Sequence, residues 1–193
     1  MADHSMSFQD TLAQLGGEAK RLADGVDYLR RTQMQDGSWF GRWGTNYIYG
    51  TWSVLCALNA AGIEPFDPAV QRAVTWLESV QREDGGWGED EETYGNAPAG
   101  EYKESTPSQT AWAVLGLMAA GAADRPSVER GIAYLMRSQR RDGEWSELPY
   151  TAVGFPRVFY LRYHGYRLYF PLLALARYRS LTRGNTHRVA YGF

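Results

Sequence analysis

The sequence predicts an all-α protein, an α/α toroid of helical hairpins of which it encodes about three. Three observations carry that class. A cluster of Gln, three residues, Gly, one residue and Trp occurs as QMQDGSW (residues 33–39), QREDGGW (81–87) and QRRDGEW (139–145). Each cluster closes an amphipathic helical run and is followed, after a polar loop, by a second and more apolar run. The steps from Gln33 to Gln81 and on to Gln139 are 48 and 58 residues, a period that suits a helical-hairpin repeat with loop insertions.

The first helix of each hairpin reads GVDYLRRTQ (25–33), AVTWLESVQ (73–81) and GIAYLMRSQ (131–139). An aromatic residue and then Leu recur in register, as Tyr28-Leu29, Trp76-Leu77 and Tyr134-Leu135, with apolar positions three and four residues away. This is one buried helix face used three times. The second helices read TWSVLCALNAAG (51–62), TAWAVLGLMAAG (110–121) and YRLYFPLLALARY (166–178). The first two end in a Gly suited to a left-handed C-cap. Asp67-Pro68 and Ser105-Thr106-Pro107 place a capping side chain before a Pro in the first turn, where its missing N–H costs least. Asp124-Arg125-Pro126-Ser127 is a less regular version of the same start. Pro171 is expected to kink or interrupt the last apolar run. The more apolar second helices should form the inner of two concentric layers. If the closed ring has six hairpins, these three supply half of it and leave a raw edge on each side. Residues 1–12 are expected to be a flexible N-terminal segment, 13–180 the helical domain and 181–193 a polar tail.

Within each cluster, Asp-Gly is a turn signal, because Gly accepts positive φ and Asp hydrogen-bonds its own backbone two residues on. A Gln at a helix end and a Trp six residues later can then fold back on each other. The Gln amide can serve the backbone groups at the end of a neighbouring helix. Gln33, Trp39, Gln81, Trp87, Gln139 and Trp145 therefore read as structural clamps that stitch hairpins together. The alternative is a cation site in the acidic loop of Asp84, Glu89, Asp90, Glu91 and Glu92. Its spacing does not fit a calcium loop, and a charge run usually marks a solvated face, so no metal and no cofactor are expected.

The chain has 193 residues, 44% hydrophobic and 22% charged, which suits one globular domain or part of a larger protein. A net charge of -2 with pI near 5.9 gives no basic face for nucleic acid. Cys56 is the only cysteine, so internal disulfides are excluded; within VLCALNAAG it reads as a small core residue in a reducing compartment. The start MADHSMSFQD lacks a signal-peptide pattern, and no run approaches the ~18 apolar residues of a spanning helix. A cytoplasmic location follows as the expectation. With 7 Trp, 13 Tyr and 7 Phe, aromatic content is the outlier. No Ser-His-Asp or Cys-His partnership accompanies it. Periodicity alone reads most of these rings as core, and Arg157, Arg162 and His164 as an outer polar face.

The three clusters resemble the QW repeats of triterpene cyclases. DGSWFGRWGTNYIYGT (36–51), DGGWGED (84–90), STPSQTAW (105–112) and GFPRVFYLRYHGYRLYFPLLALARY (154–178) resemble the C-terminal third of the squalene-hopene cyclase family. The resemblance implies half of an (α/α)6 barrel, a substrate that is the polyene squalene, and cyclisation by an intramolecular isomerase with no metal or organic cofactor. The family protonates its substrate with a DxDD motif. This sequence has none, its nearest acidic run being Gly88-Glu89-Asp90-Glu91-Glu92-Thr93, so no catalytic residue is assigned and the segment is expected to be inactive alone. By motif position the resemblance places Trp43, Tyr49, Phe155, Phe159, Tyr163 and Tyr166 on the substrate cavity, with Tyr49 in the group near the acid. Aromatic faces suit carbocations, because a ring quadrupole attracts a cation without offering a basic lone pair. The implied partners are squalene, once an N-terminal half is present, and either a second copy closing the barrel or a complementing cyclase fragment. Peripheral membrane association is implied in the same way. A competing expectation is a self-associating half-barrel with a structural or apolar-ligand-binding role. A zinc-dependent prenyltransferase toroid is disfavoured, since no Asp, Cys and His set has suitable spacing.

Overall fold

The fold is taken from a computed structural model whose described residues are 8–95, 104–184 and 189, with side chains from residue 16 onward. The chain divides into two units, residues 1–32 and 33–193. The first holds α1 (Phe8–Thr32), which ends with Arg30 and Arg31 in its last turn, favourable to the negative end of the helix dipole. The boundary expected after residue 12 falls inside this helix.

The second unit contains α2 (Tyr47–Ala60), α3 (Pro68–Ser79), α4 (Pro107–Ala119), α5 (Pro126–Ser138) and α6 (Tyr166–Gly184), with a short 3-10 turn at Glu91–Tyr94. The apolar helices α2, α4 and α6 pack side by side with α4 in the middle, while α3 and α5 lie against them. Burial follows the composition of each helix. All thirteen residues of α4 are buried, whereas α3 buries one stripe of Ala69, Val70, Ala73, Val74, Trp76 and Leu77. Gly116 of α4 lets α2 approach closely, since a Cβ there would stand 3.1 Å from the Trp52 Cα. The third apolar helix behaves differently. Of α6 only Pro171, Ala174 and Leu181 are buried, and Tyr169 and Leu172 stand 71% and 62% exposed. It runs helical through Pro171, correcting the expectation of an interruption, and extends past residue 181 to Gly184. Val189 is buried and its carbonyl accepts from the Asn59 amide; the rest of the expected tail lies outside the described residues.

The helix ends follow the sequence signals. Asp67 accepts from the Ala69 N–H and Thr106 from the Gln109 N–H, each before a Pro at the first helical position; Arg125 makes no side-chain cap. Gly62 and Gly121 adopt φ of 77° and 76°. After α2, Ile63 N–H reaches the Leu58 carbonyl and Gly62 N–H the Asn59 carbonyl; after α4, Ala122 and Gly121 repeat this on Leu117 and Met118. These paired bonds satisfy the last carbonyls of both helices.

An antiparallel hairpin of β1 (Ala152–Phe155) and β2 (Phe159–Leu161), bulged between Val153 and Phe155, interrupts the all-α pattern. Its strands of four and three residues are too short to show a period of two in the sequence.

The repeated clusters form one turn built three times. Asp36, Asp84 and Asp142 each accept through Oδ1 from the N–H two residues on, at 2.9, 2.9 and 3.1 Å. Gly37, Gly85 and Gly143 all take positive φ. Gln33, Gln81 and Gln139 each donate from Nε2 to the carbonyl of that Gly at 2.9 Å. Trp39, Trp87 and Trp145 are buried, and the indole N–H groups of Trp87 and Trp145 reach the carbonyls of Leu77 and Leu135 at 2.7 and 2.8 Å. Gln33 and Gln81 also donate to Ala69 and Ser127, in the first turns of α3 and α5.

Candidate functional site

Of the site residues implied by the motifs, Tyr49 and Tyr166 lie in the first turns of α2 and α6, Tyr163 just before α6, Trp43 in the loop before α2, and Phe155 and Phe159 on the hairpin. At α2 a buried polar network takes the place of a side-chain cap. Asn46 precedes α2 without a side-chain cap, and the fully buried Glu89 instead accepts from the N–H groups of Asn46 and Ile48 at 3.1 and 2.8 Å. A carboxylate at a helix N-terminus is favoured by the dipole and by unpaired N–H donors. The expectation of a solvated acidic face is thus corrected at Glu89, while Asp84 and Asp90 accept from neighbouring backbone N–H groups. Gln109 completes the knot, donating to the carbonyls of Thr45 and Glu89 and accepting from the Glu89 N–H.

One repeat later the geometry recurs. Glu147 lies two residues after Trp145, as Glu89 follows Trp87, and accepts from the Ser108 N–H at 2.8 Å, the Ser108 hydroxyl at 2.9 Å and the Thr151 hydroxyl at 3.0 Å. Burial pushes its carboxyl above the ordinary range; the bonds from Ser108 and Thr151 and the charge of Arg162 act the other way. At the matching place in the first cluster stands Gly41, whose N–H donates to Asn46. This use of a Trp-plus-two carboxylate is visible in the string once the clusters are aligned, but its target is not.

On this frame sit the rings. Tyr49 packs edge-on against Trp112 at 5.0 Å, Trp52 stacks on Trp112 at 5.9 Å and 10°, and Phe170 meets Trp52, Trp112 and Tyr166 within 5.5 Å. Tyr166 also lies 5.7 Å from Trp112 and 5.1 Å from Tyr163. One cluster at the α2, α4 and α6 seam therefore joins Tyr49, Tyr163 and Tyr166, and its centre is Trp112, which sequence reasoning did not single out. Trp52 and Phe170 were missed with it, because an aromatic on an apolar helix carries no mark separating core from site. Phe155 and Phe159 form a second, edge-to-face pair at 5.6 Å on the hairpin. Trp43 stands apart at a loop tip, 56% exposed, with the Arg42 guanidinium 5.4 Å from its ring. Phe155, Phe159 and Tyr163 are 53%, 44% and 51% exposed, so these rings present open faces.

The loop and the hairpin are tied together. Val153 N–H donates to the Trp43 carbonyl and Thr45 N–H to the Thr151 carbonyl, both at 3.1 Å. Buried Tyr94 donates from its hydroxyl to the carbonyls of Gly41 and Gly44, which flank Arg42 and Trp43, at 2.9 and 3.0 Å. Its own carbonyl accepts from Arg157 Nε. Arg157, at φ 66° in the hairpin turn, also donates its N–H to the Tyr160 hydroxyl at 3.0 Å. Arg162 similarly reaches the Leu148 carbonyl and lies 4.6 Å over the Tyr150 ring. Arg157 is exposed and Arg162 half-buried, and from that outer position both anchor the ring-bearing hairpin.

Burial raises the phenols of Tyr49 and Tyr166, with a further contribution to Tyr166 from Tyr49 and Tyr163. Near neutral pH they remain protonated and offer quadrupoles and O–H donors rather than phenolates. Among the described residues no three His, Cys, Asp or Glu side chains are grouped to hold a metal ion, and no helix is long and apolar enough to cross a membrane. Burial pushes the Cys56 thiol up to about 12, so it is no nucleophile at neutral pH.

Helical hairpins fastened by Gln-Gly-Trp turns, with neutral aromatic rings clustered at the seam of α2, α4 and α6, define an all-α protein of the terpene-cyclase class. The family model for the squalene-hopene cyclase C-terminal domain matches residues 1–180, and the chain belongs to that family. It is 59% identical to a squalene-hopene cyclase of Bradyrhizobium diazoefficiens over 94% of its own length and 28% of that protein. It is 61% identical to a probable squalene-hopene cyclase of Sinorhizobium fredii, covering 90% of this chain and 28% of the relative. Similarity extends to a dammaradiene synthase of Dryopteris crassirhizoma, 47% identical over 82% of this chain and 25% of that enzyme. The chain thus spans little more than a quarter of the length of these relatives.

Proposed function

We propose that this chain supplies part of the aromatic wall of a cavity that cyclises squalene to hopene or hopanol, and that the proton donor comes from a segment outside this sequence. The half-buried Tyr49 and Tyr166 with the exposed Tyr163, and outside that cluster the exposed rings of Phe155, Phe159 and Trp43, carry the reading. Their faces are polarisable, can attract a cation and cannot deprotonate it. No DxDD motif is present to start the reaction. The assembled protein works in the cytoplasm, peripheral to the membrane in which squalene dissolves. The test incubates squalene with the chain alone and with the chain co-expressed with the N-terminal remainder of a cyclase, followed by mass spectrometry. Product is expected only from the pair, and turnover by this chain alone would overturn the reading. In the active pair, Phe159→Ala should slow complete cyclisation by about twofold to thirtyfold, the equivalent of roughly 0.5 to 2 kcal/mol for one ring.

A second reading, a self-associating half-barrel with a structural or apolar-ligand-binding role, draws on the exposed Tyr169 and Leu172 of α6. An apolar edge of this kind favours burial against a partner.

A further inference from the structure

Among the described residues, the three Gln-Gly-Trp turns are filled twice and open once. In the first two, Gln Nε2 donates to a second carbonyl, at the second position of the next outer helix: Ala69 of α3 and Ser127 of α5, each at 2.8 Å. The same Gln accepts through Oε1 from the Arg three residues further on, Arg72 or Arg130. The helices come so close that a Cβ on Gly37 would stand 2.5 Å from the Arg72 carbonyl oxygen, and one on Gly85 2.7 Å from that of Arg130. Gln139 keeps the local half, donating to Gly143 at 2.9 Å with Gly143 at φ 87°. A Cβ on Gly143 would meet nothing within 4 Å among the described residues. Arg167 of α6 reaches the neighbouring Trp145 carbonyl and Glu144 carboxylate and leaves this socket open.

A second difference lies three residues before each Gln. Glu78, ahead of Gln81, holds Arg125 and the Ser127 hydroxyl at the start of α5, both at 3.0 Å. Its counterpart ahead of Gln139 is Met136, 64% exposed. The outer helices already seated begin DPAVQR and RPSVER, sharing Pro, a small residue, Val, any residue and Arg. Each feature has a contact to make. Pro starts the helix, the small residue exposes its carbonyl to Gln Nε2, Val is buried, and Arg reaches Gln Oε1.

We infer that the turn at 139–145 is a docking socket for the first turn of an outer helix carried by a complementing cyclase fragment. That helix begins Pro, small, Val, any, Arg, and brings an apolar side chain rather than a cation over Met136. The partner's identity rests on the proposed function; the socket rests on the repeat itself. A binding measurement separates the two. The probe is the N-terminal fragment of the Bradyrhizobium diazoefficiens relative, ending where its match to this chain begins, co-expressed with the full chain. A stable complex is expected, weakened about tenfold or more by Gln139→Ala, which removes two hydrogen bonds across the interface. The thermal midpoint of the free chain should hardly move, whereas Gln81→Ala, whose partners are internal, should lower it. Met136→Asp should weaken the complex independently of Gln139. Failure to form a complex, or a complex indifferent to both substitutions, would overturn the socket. Self-association abolished by Gln139→Ala would assign it to a second copy and overturn the partner named. A complex that needs Gln139 yet leaves squalene unconverted would remove the functional reading and keep the socket; turnover indifferent to Gln139 would do the reverse.

Discussion

Glu147 shows how one side chain can organise a site without touching a substrate. It gathers the first N–H of α4, the Ser108 hydroxyl and the Thr151 hydroxyl, and Thr151 in turn pairs with Thr45 beside Trp43. Glu147→Ala should therefore cost about 1 to 3 kcal/mol in urea unfolding, because the buried Ser108 donors lose their acceptor. Glu147→Gln, which keeps an oxygen and adds a donor, should cost less. The pH dependence follows from the raised carboxyl. Between the ordinary carboxylate value and the raised one, the folded chain holds more protons than the unfolded chain, so this group's contribution to stability falls as pH rises through that window. Thermal midpoints measured from pH 4 upward, on the order of one unit apart, should show that decline in the parent and a flatter profile in Glu147→Gln.

At the scale of elements, α2 and α4 are held at their N-terminal ends by borrowed carboxylates and at their C-terminal ends by left-handed glycines. Glu89→Ala leaves the N–H groups of Asn46 and Ile48 buried without an acceptor and leaves the Asn46 amide on Thr93 to hold the 86–94 loop to the start of α2. A loss of about 2 to 3 kcal/mol is expected, with faster amide exchange at Ile48 as the local signature. The sequence makes the glycine ends and the Asp67 and Thr106 starts legible, because those caps are made by residues adjacent to the helices they cap. Glu89 is 43 positions from Asn46, and Glu147 is 39 from Ser108, so no local pattern reports either bond. The hairpin was hidden for a related reason. Its strands are stabilised by the Trp43 and Thr45 backbone and by Arg157 on Tyr94, contacts made over roughly a hundred residues of sequence or at an unremarkable Arg.

At the scale of the whole molecule, composition and burial disagree in one place, and the disagreement is informative. The apolar character of α2 and α4 is spent on burial, while α6, which mixes large apolar side chains with arginines, leaves Tyr169 and Leu172 in solvent. Sedimentation of the isolated chain should show concentration-dependent association, reversed by Leu172→Lys on this edge. A strictly monomeric, well-folded chain at high concentration would count against a role for that edge in assembly.

The sequence by itself determined the number and order of the hairpins, the clamp at each turn, the buried character of α2 and α4 and the family. All of these are encoded by short-range periodicity and by a motif repeated in register. Only the tertiary structure decided that Trp112 is the hub joining Tyr49 to Tyr166, that two acidic side chains serve as distant caps, and that no described residue fills the third clamp. Those facts depend on which surfaces meet, and a residue's type and its local neighbours do not say what lies across the interface.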